Sequence, residues 1–349
     1  MKVLKEVLGI DVAQKELVVT LGKMQEDLTI ELYAHKVFKN NANGHEALLK
    51  WTEKLSSKLV KVQFVMEATG VYHEKFAYFL KEKECDVSIV LPNKISNYIR
   101  TLEIKTVNDK TCSQAISTFG LERKLDLWQR PKATFKNLQQ LTRERSQIVT
   151  ERAMVKNQMH AERSEAYPNP GSIARMESRI KFLNQQEKEI KLEISVEIKK
   201  DTELKKEIEN ICTIPGVGEL TAVTVLAETN GFELIRNKKQ LVSYAGLDVR
   251  EKQSGTSVKG KSRISKKGNK NLRRSMHLPS LSAVKKIPQF SHLYIRLVQK
   301  SGIKMKGLVA VQRKLLELIY IIYKGKTVFE KDYELKKESS FCKPLLFRN

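Results

Sequence analysis

Asp11 follows the apolar run VLGI, Glu67 sits in FVMEATG where a strand-like run meets a small-residue turn, and Asp109 stands where a helix begins in KTVNDKTCSQA. Carboxylates at two strand ends and a helix start can converge on one edge of a sheet. Hard oxygen ligands suit Mg²⁺ or Mn²⁺, which keep some of their waters and take further oxygens from a phosphate substrate. Two such ions clamp the attacking and leaving oxygens of a phosphodiester. Taken singly, each residue has a plainer reading: Asp11 as a strand-end turn, Glu67 as a solvent residue, Asp109 as an N-cap. Three residues after Asp109, where a second carboxylate would share its helix face, stands Cys112.

A second constellation lies far downstream. IPGVG (Ile214 to Gly218) joins two helical runs and reads as a helix-hairpin-helix element. Gly216 and Gly218 there let backbone N–H groups approach a phosphate at a helix N-terminus. The plainer reading is a tight helix–helix turn. In QSGTSVKGKSRISKKGNKNLRR, Ser254 stands in a loop among Lys259, Lys261 and Arg263, followed by Lys266, Lys267, Asn269, Arg273 and Arg274. These cations and the helix start at Gly268 and Asn269 suit the placing of a phosphate. A serine hydroxyl attacks only when its proton is removed, and no histidine base lies in the segment. Ser254 is therefore either a nucleophile activated from elsewhere or a phosphate-binding hydroxyl.

The elements that would hold these residues follow from periodicity. Residues 3–38 alternate apolar and polar in short β-rich runs, a strand meander; 43–59 is an amphipathic helix; 60–68 a strand; GVYHEKFAYFLKEKE a helix; CDVSIVLP a strand closed by Pro92. A helical pattern resumes near Ile95 and runs past Asp109 to Phe119. Strands first, then alternating helix and strand, predict an α/β domain on a mixed sheet over residues 1–130. Over 131–200 the chain turns long, charged and heptad-like, with Leu141, Ile148 and Val155 spaced by seven. YPNPG interrupts it, which predicts an antiparallel coiled-coil hairpin with a role in self-association. Residues 201–325 form a mostly helical domain, and 326–349 a poorly ordered tail.

Size and charge agree with several units and a polyanionic partner. The 349 residues carry a formal net charge of +24. From Lys252 to Leu316 there is no Asp or Glu while Lys and Arg total 17. A solvated face normally mixes signs, and a long one-sign field repels itself unless a polyanion neutralises it. Nucleic acid held through phosphate contacts is the partner this implies. Four scattered cysteines without a CxxC pair exclude a zinc ribbon or disulfide framework and fit a reducing cytoplasm. The longest apolar stretch, Leu308 to Tyr323, carries Arg313, Lys314 and Glu317, so no membrane span is expected.

Read together, GIDVAQ, MEATGVY, NDK and GLERKLDLW resemble the N-terminal RuvC-like domain of DEDD insertion-sequence transposases. IPGVGELTA, YAGL and QSGTSVKGKSRISKKGNKNLRR resemble that family's C-terminal domain. These are the bridge-RNA-guided recombinases related to the pilin-gene invertase, and the resemblance spans roughly residues 6–325. It implies an RNase H/RuvC-like fold whose acidic residues hold Mg²⁺ or Mn²⁺, here Asp11, Glu67 and Asp109. It also implies a serine that attacks the DNA phosphodiester to leave a phosphoserine link, with Ser254 at the matching position and Ser257 its neighbour. Donor and target DNA, a non-coding bridge RNA, composite sites in a tetramer and a cytoplasmic, nucleoid-associated setting follow as expectations. The family pattern is Asp-x-x-Asp, and Cys112 occupies its second position. Three carboxylates with water and phosphate suffice, Glu103 or another acid fills the gap, or the copy is weakened. A metal-dependent junction nuclease and a non-catalytic nucleic-acid-binding protein are the competing readings.

Overall fold

The computed structural model describes residues 2–68, 70–102, 104, 106–233, 235–250 and 263–330, with the backbone alone at 253–254 and 258–259. The chain divides into two compact units, Met1–Arg130 and a second beginning at Pro131.

The first unit is a five-stranded mixed sheet with helices on both faces. Strands β1 (Val3–Val12), β2 (Glu16–Gln25) and β3 (Ile30–Lys39) form the antiparallel meander. After α1 (Ala42–Leu55), β4 (Val62–Glu67) pairs parallel to β1. Helix α2 (Glu74–Glu82) then carries the chain to β5 (Asp86–Val90), parallel to β4, giving the order β3-β2-β1-β4-β5. Central β1 is buried on both sides. Leu8 and Ile10 join Leu48, Phe76 and Leu80 in one core, while Val7 joins Val65, Ile116 and Phe119 in the other. This two-sided burial is why VLGI reads as a continuous apolar run rather than an alternation. One expectation fails here: the helical run from Ile95 to Phe119 is two helices, α3 (Pro92–Ile99) and α4 (Asp109–Glu122). The apolar steps of three and four through Ile95, Tyr98 and Leu102 mimic continuity. Pro92, expected to close a strand, opens α3 at its first turn.

The second unit is mostly helical. Helices α5 (Ala133–Arg163) and α6 (Pro170–Lys199) form an antiparallel hairpin, with Arg163 pairing Glu177 near the bend and Arg145 and Arg152 both reaching Glu187 farther along. Pro170 does not lie in the bend but starts α6, capped by Asn169, whose Oδ1 accepts from the Ser172 N–H. Ile148, Val155, Leu183, Ile190 and Ile194 line the seam, and they belong to one continuous core with the helices that follow. Those helices are α7 (Thr202–Cys212), α8 (Glu219–Thr229) and α9 (Lys238–Tyr244). Four two-residue strands come next: β6 (Val249–Arg250), β7 (Gln253–Ser254), β8 (Val258–Lys259) and β9 (Arg263–Ile264). Helices α10 (Lys270–Ser275), α11 (His277–Lys286), α12 (Pro288–Ser301) and α13 (Lys304–Gly325) complete the unit. Of the tail, residues 326–330 are held to α7: Lys326 pairs with Glu203 and the Phe329 N–H donates to Thr213 Oγ1. Residues 331–349 lie outside the described residues. Among those described, no helix is long and apolar enough to cross a membrane.

Candidate active site

Helix α4 and strand β1 determine where the carboxylates meet. Along β1, Val7, Gly9 and Asp11 share the face that α4 covers. Ser117 Oγ donates to the Val7 carbonyl, and Lys5 Nζ donates to the Arg123 carbonyl at the far end of the helix. At Gly9 the two backbones nearly touch, since a Cβ there would lie 2.4 Å from the Ser113 carbonyl oxygen and 2.2 Å from the Ser117 nitrogen. The helix therefore runs antiparallel to the strand: residues 120–123 over Lys5 and Val7, residues 113–117 over Gly9, and its first turn over Asp11. Its first turn is pinned by Thr20 Oγ1, 2.8 Å from Ser113 Oγ and 3.2 Å from His35 Nδ1. Ser113 Oγ also donates to the Lys110 carbonyl.

Asp109 is not the N-cap. Asn108 takes that role in a capping box: its Oδ1 accepts from the Thr111 N–H, and its own N–H donates to Thr111 Oγ1. The Asp109 carboxylate is thereby left at the first helical position, one turn from Cys112. Glu67 arrives from the neighbouring strand. Ile10 and Met66 are register partners in the parallel β1–β4 pair, so Asp11 and Glu67, next along each strand, stand side by side on one face.

The electrostatics agree with the nearness of these four side chains. The Asp11 carboxyl is pushed up to about 6, first by burial and then by the charges of Asp109 and Glu67, against a hydrogen bond from the Val12 backbone. Burial also raises the Cys112 thiol, and Asp11, Glu67 and Asp109 all raise it further. Cys112 therefore sits in the field of all three carboxylates and is held in its neutral form. Oxygen donors gathered at the cost of mutual repulsion are a hard-cation set, and a divalent ion would relieve that repulsion. Among the described residues, no group of three or more His, Cys, Asp or Glu lies close enough together to hold a metal ion by itself. Glu103, the acid next in line for the missing position, lies outside the described residues.

In the second unit, Gly216 turns the chain between α7 and α8 at φ +97°, and a Cβ there would strike Ser282 on α11. Gly218 is the N-cap of α8 and has open space where a Cβ would be. Ser254, expected in a loop, is placed by its backbone on β7, opposite Val258 in the second of the two rungs that pair β7 with β8. The side chains of Ser254 and Lys259, and all of Ser257 and Lys261, lie outside the described residues. Arg263, Lys266, Lys267 and Arg274 are exposed. Arg273 is committed to the fold, donating from Nη1 to the Ala245 carbonyl at 2.7 Å.

Asn269 is likewise committed: Oδ1 caps α10 and Nδ2 donates to Glu228 at 2.7 Å. Glu228 is the residue that sequence reasoning missed. Its side chain is fully buried, and Arg143 grips it through Nε and Nη2 at 2.8 Å each, with Asn271 at 3.1 Å. Burial works to raise its pKa, but Arg143, Asn269 and Asn271 outweigh it and hold the carboxyl below the usual range. A lone acid in the apolar run LTAVTVLAET was the signal that would have found it.

Comparison with known proteins decides the family. A family model described as a transposase, of the DEDD IS110 type, matches residues 8–168, and one described as the IS116/IS110/IS902 transposase family matches residues 208–295. The chain belongs to the IS110 family of transposases. Among similar proteins, a pilin gene-inverting protein of Moraxella lacunata is 27% identical over 328 residues, covering 94% of this chain and 98% of that one. Its counterpart in Moraxella bovis is 28% identical over 295 residues, 84% of this chain and 90% of that one. Among solved structures, a Thermus thermophilus RuvC in complex with a Holliday junction substrate is similar at 12% identity. It covers 32% of this chain and 90% of that chain, with a TM-score of 0.25. This IS110-type transposase is thus a DNA-recombining enzyme by family, and the DEDD match takes in Asp11, Glu67 and Asp109 on the first unit and continues through α5 of the second.

Proposed function

We propose that this transposase cuts and rejoins DNA strands using a divalent cation, Mg²⁺ or Mn²⁺, held by Asp11, Glu67 and Asp109, with Ser254 as the nucleophile. The gathering of three carboxylates at the β1–β4 edge under α4, with Asp11 raised to about 6 by burial first and by the other two second, is the observation that carries this reading. A bound cation would supply charge neutralisation for the scissile phosphate and its leaving oxygen. Asp11 and Glu67 offer oxygens from the sheet, and Asp109 offers its own from the helix. Ser254 Oγ forms a bond to phosphorus while a phosphorus–oxygen bond of the DNA breaks. The serine proton is lost as the departing DNA oxygen gains one, and attack by a DNA hydroxyl reverses the step. Family resemblance at QSGTS supports the serine, and the acid-free stretch Lys252 to Leu316 supports a heavy nucleic-acid load. Guidance by a non-coding RNA and assembly as a dimer or tetramer belong to the same proposal.

The test is a covalent one. Purified protein, RNA from the flanking element and labelled donor DNA are incubated with Mg²⁺ and resolved on denaturing gels. A protein–DNA adduct that vanishes in Ser254→Ala supports the serine route. Cation-dependent nicking with no adduct replaces it with metal-activated water. Cys112 favours a third outcome, in which the natural chain is silent and Cys112→Asp forms the adduct. Binding itself should fall about 10³-fold between 50 and 200 mM salt, and binding indifferent to salt contradicts the phosphate contacts.

A further inference from the structure

The first unit carries a second concavity that the acidic site does not use. A groove of about 680 Å³ is lined by Lys94, Asn97, Tyr98 and Thr101 from α3 and the residues after it, and by Phe119, Arg123, Lys124 and Leu125 at the end of α4. Its volume is that of a small-ligand site. Tyr98 is buried and packs edge-on against Phe119, ring centroids 5.1 Å apart. The Arg123 guanidinium lies over both rings, 5.1 Å from the Phe119 centroid and 5.9 Å from that of Tyr98. Both rings are buried, so the groove presents the exposed Arg123 guanidinium backed by them, two exposed ammonium groups in Lys94 and Lys124, and the exposed amide of Asn97.

Two further features bear on what enters it. Tyr98 Oη is buried and makes no hydrogen bond of ordinary length and angle, the Glu122 carboxylate being the acceptor that faces it. Glu122 is close enough to raise the phenol's pKa, after burial, without meeting that geometry. Counting Glu122, the groove is still net cationic. A stacking plane beside ammonium groups matches a ligand with alternating π-faces and phosphates. A duplex hides its base faces in the helix, whereas an unstacked strand presents them. Helix α4 also gives the groove a fixed relation to the chemistry. Asp109 opens it and Arg123 caps it, so the two ends lie about 20 Å apart along one rigid element.

We propose that this groove holds an unstacked segment of a single nucleic-acid strand, with a base on the Arg123 guanidinium that Phe119 and Tyr98 back, and phosphates on Lys94 and Lys124. The inference rests on the nucleic-acid reading of the enzyme above and adds where a single strand lies.

The experiment uses the full chain and a twelve-nucleotide single strand carrying 5-iodouracil, in ribose and deoxyribose forms, with ultraviolet cross-linking and peptide mapping. Cross-links should fall on the peptides bearing Tyr98 or Phe119 with one sugar or both. Lys94→Glu with Lys124→Glu should weaken single-strand binding about tenfold or more and change duplex binding less than twofold, at an unchanged Tm because both side chains are exposed. Cross-links confined to residues 263–316, or equal losses for strand and duplex, overturn the groove proposal while leaving nucleic-acid binding by the enzyme intact. Competition by free uridine monophosphate at the strand's own concentration would make this a mononucleotide site and overturn it as well. Absence of binding to any strand or duplex would sink the parent reading along with it.

Discussion

The molecule holds buried and half-buried carboxylates in two opposite ways. In the second unit, Glu228 and Glu187 are saturated with cations and amides, and both sit below the usual carboxylate range. For Glu187, burial pulls upward, but Lys191, Arg152 and Arg145 prevail and bring it to about 2. In the first unit, Asp11 is governed by burial and two further carboxylates, and it sits at about 6. A charge whose partners belong to the same chain is scaffolding, complete when folding is complete. A charge surrounded by like charges is incomplete until something arrives from outside.

Removing one charge on each side gives the sharpest contrast. Asp11→Ala or Asp109→Ala should lower strand cleavage about 10³-fold, since transition-state neutralisation by a bound cation is worth several kcal/mol. Thermal stability should not fall with it, and a lost fold in either variant would dissolve the distinction. Arg143→Ala should do the reverse, destabilising the second unit by about 3 kcal/mol because Glu228 is left buried without its cation. The readout is a Tm lower by roughly 10 °C.

Smaller effects refine the acidic side. Cys112→Asp should tighten Mg²⁺ binding about tenfold by adding a hard, charged ligand, as measured by calorimetry. Unchanged affinity would make Cys112 a packing residue. The pH dependence has a definite sign. An Asp at about 6 in the folded chain and about 3.9 unfolded binds its proton more tightly when folded, so its favourable contribution is full below about pH 4 and lost as pH rises through 6. Without divalent cation, Asp11→Asn should therefore melt a few degrees above the natural protein at pH 8, with the gap closing towards pH 4. A gap of constant size would mean that the crowding of charge is not what strains the site.

Asp11, Glu67 and Asp109 were legible because strand ends and helix starts leave marks in sequence: an apolar run that stops, a small-residue turn, a capping residue. The plainer reading of Asp109 as an N-cap gives way to Asn108, because both are good N-caps and only the Thr111 hydroxyl distinguishes them. The break between α3 and α4 was hidden by apolar spacing that continues across it. Asn269 looked like a phosphate contact because its partner, Glu228, is 41 residues away and no local pattern records that pairing. The groove at Tyr98 was hidden for the same reason, since its two walls are separate helices whose cations are unremarkable one at a time.

The approach of α4 to Gly9 has a consequence for anyone screening variants of this enzyme. Gly9 bears no functional group, yet a single methyl there would collide with the helix backbone at Ser113 and Ser117. The helix would have to lift, carrying Asp109 and Cys112 away from Asp11 together. A random library would score Gly9 among the most damaging positions for activity, and an activity assay alone would mistake a spacer for a reagent. The width of the acidic site is set by an absent methyl group.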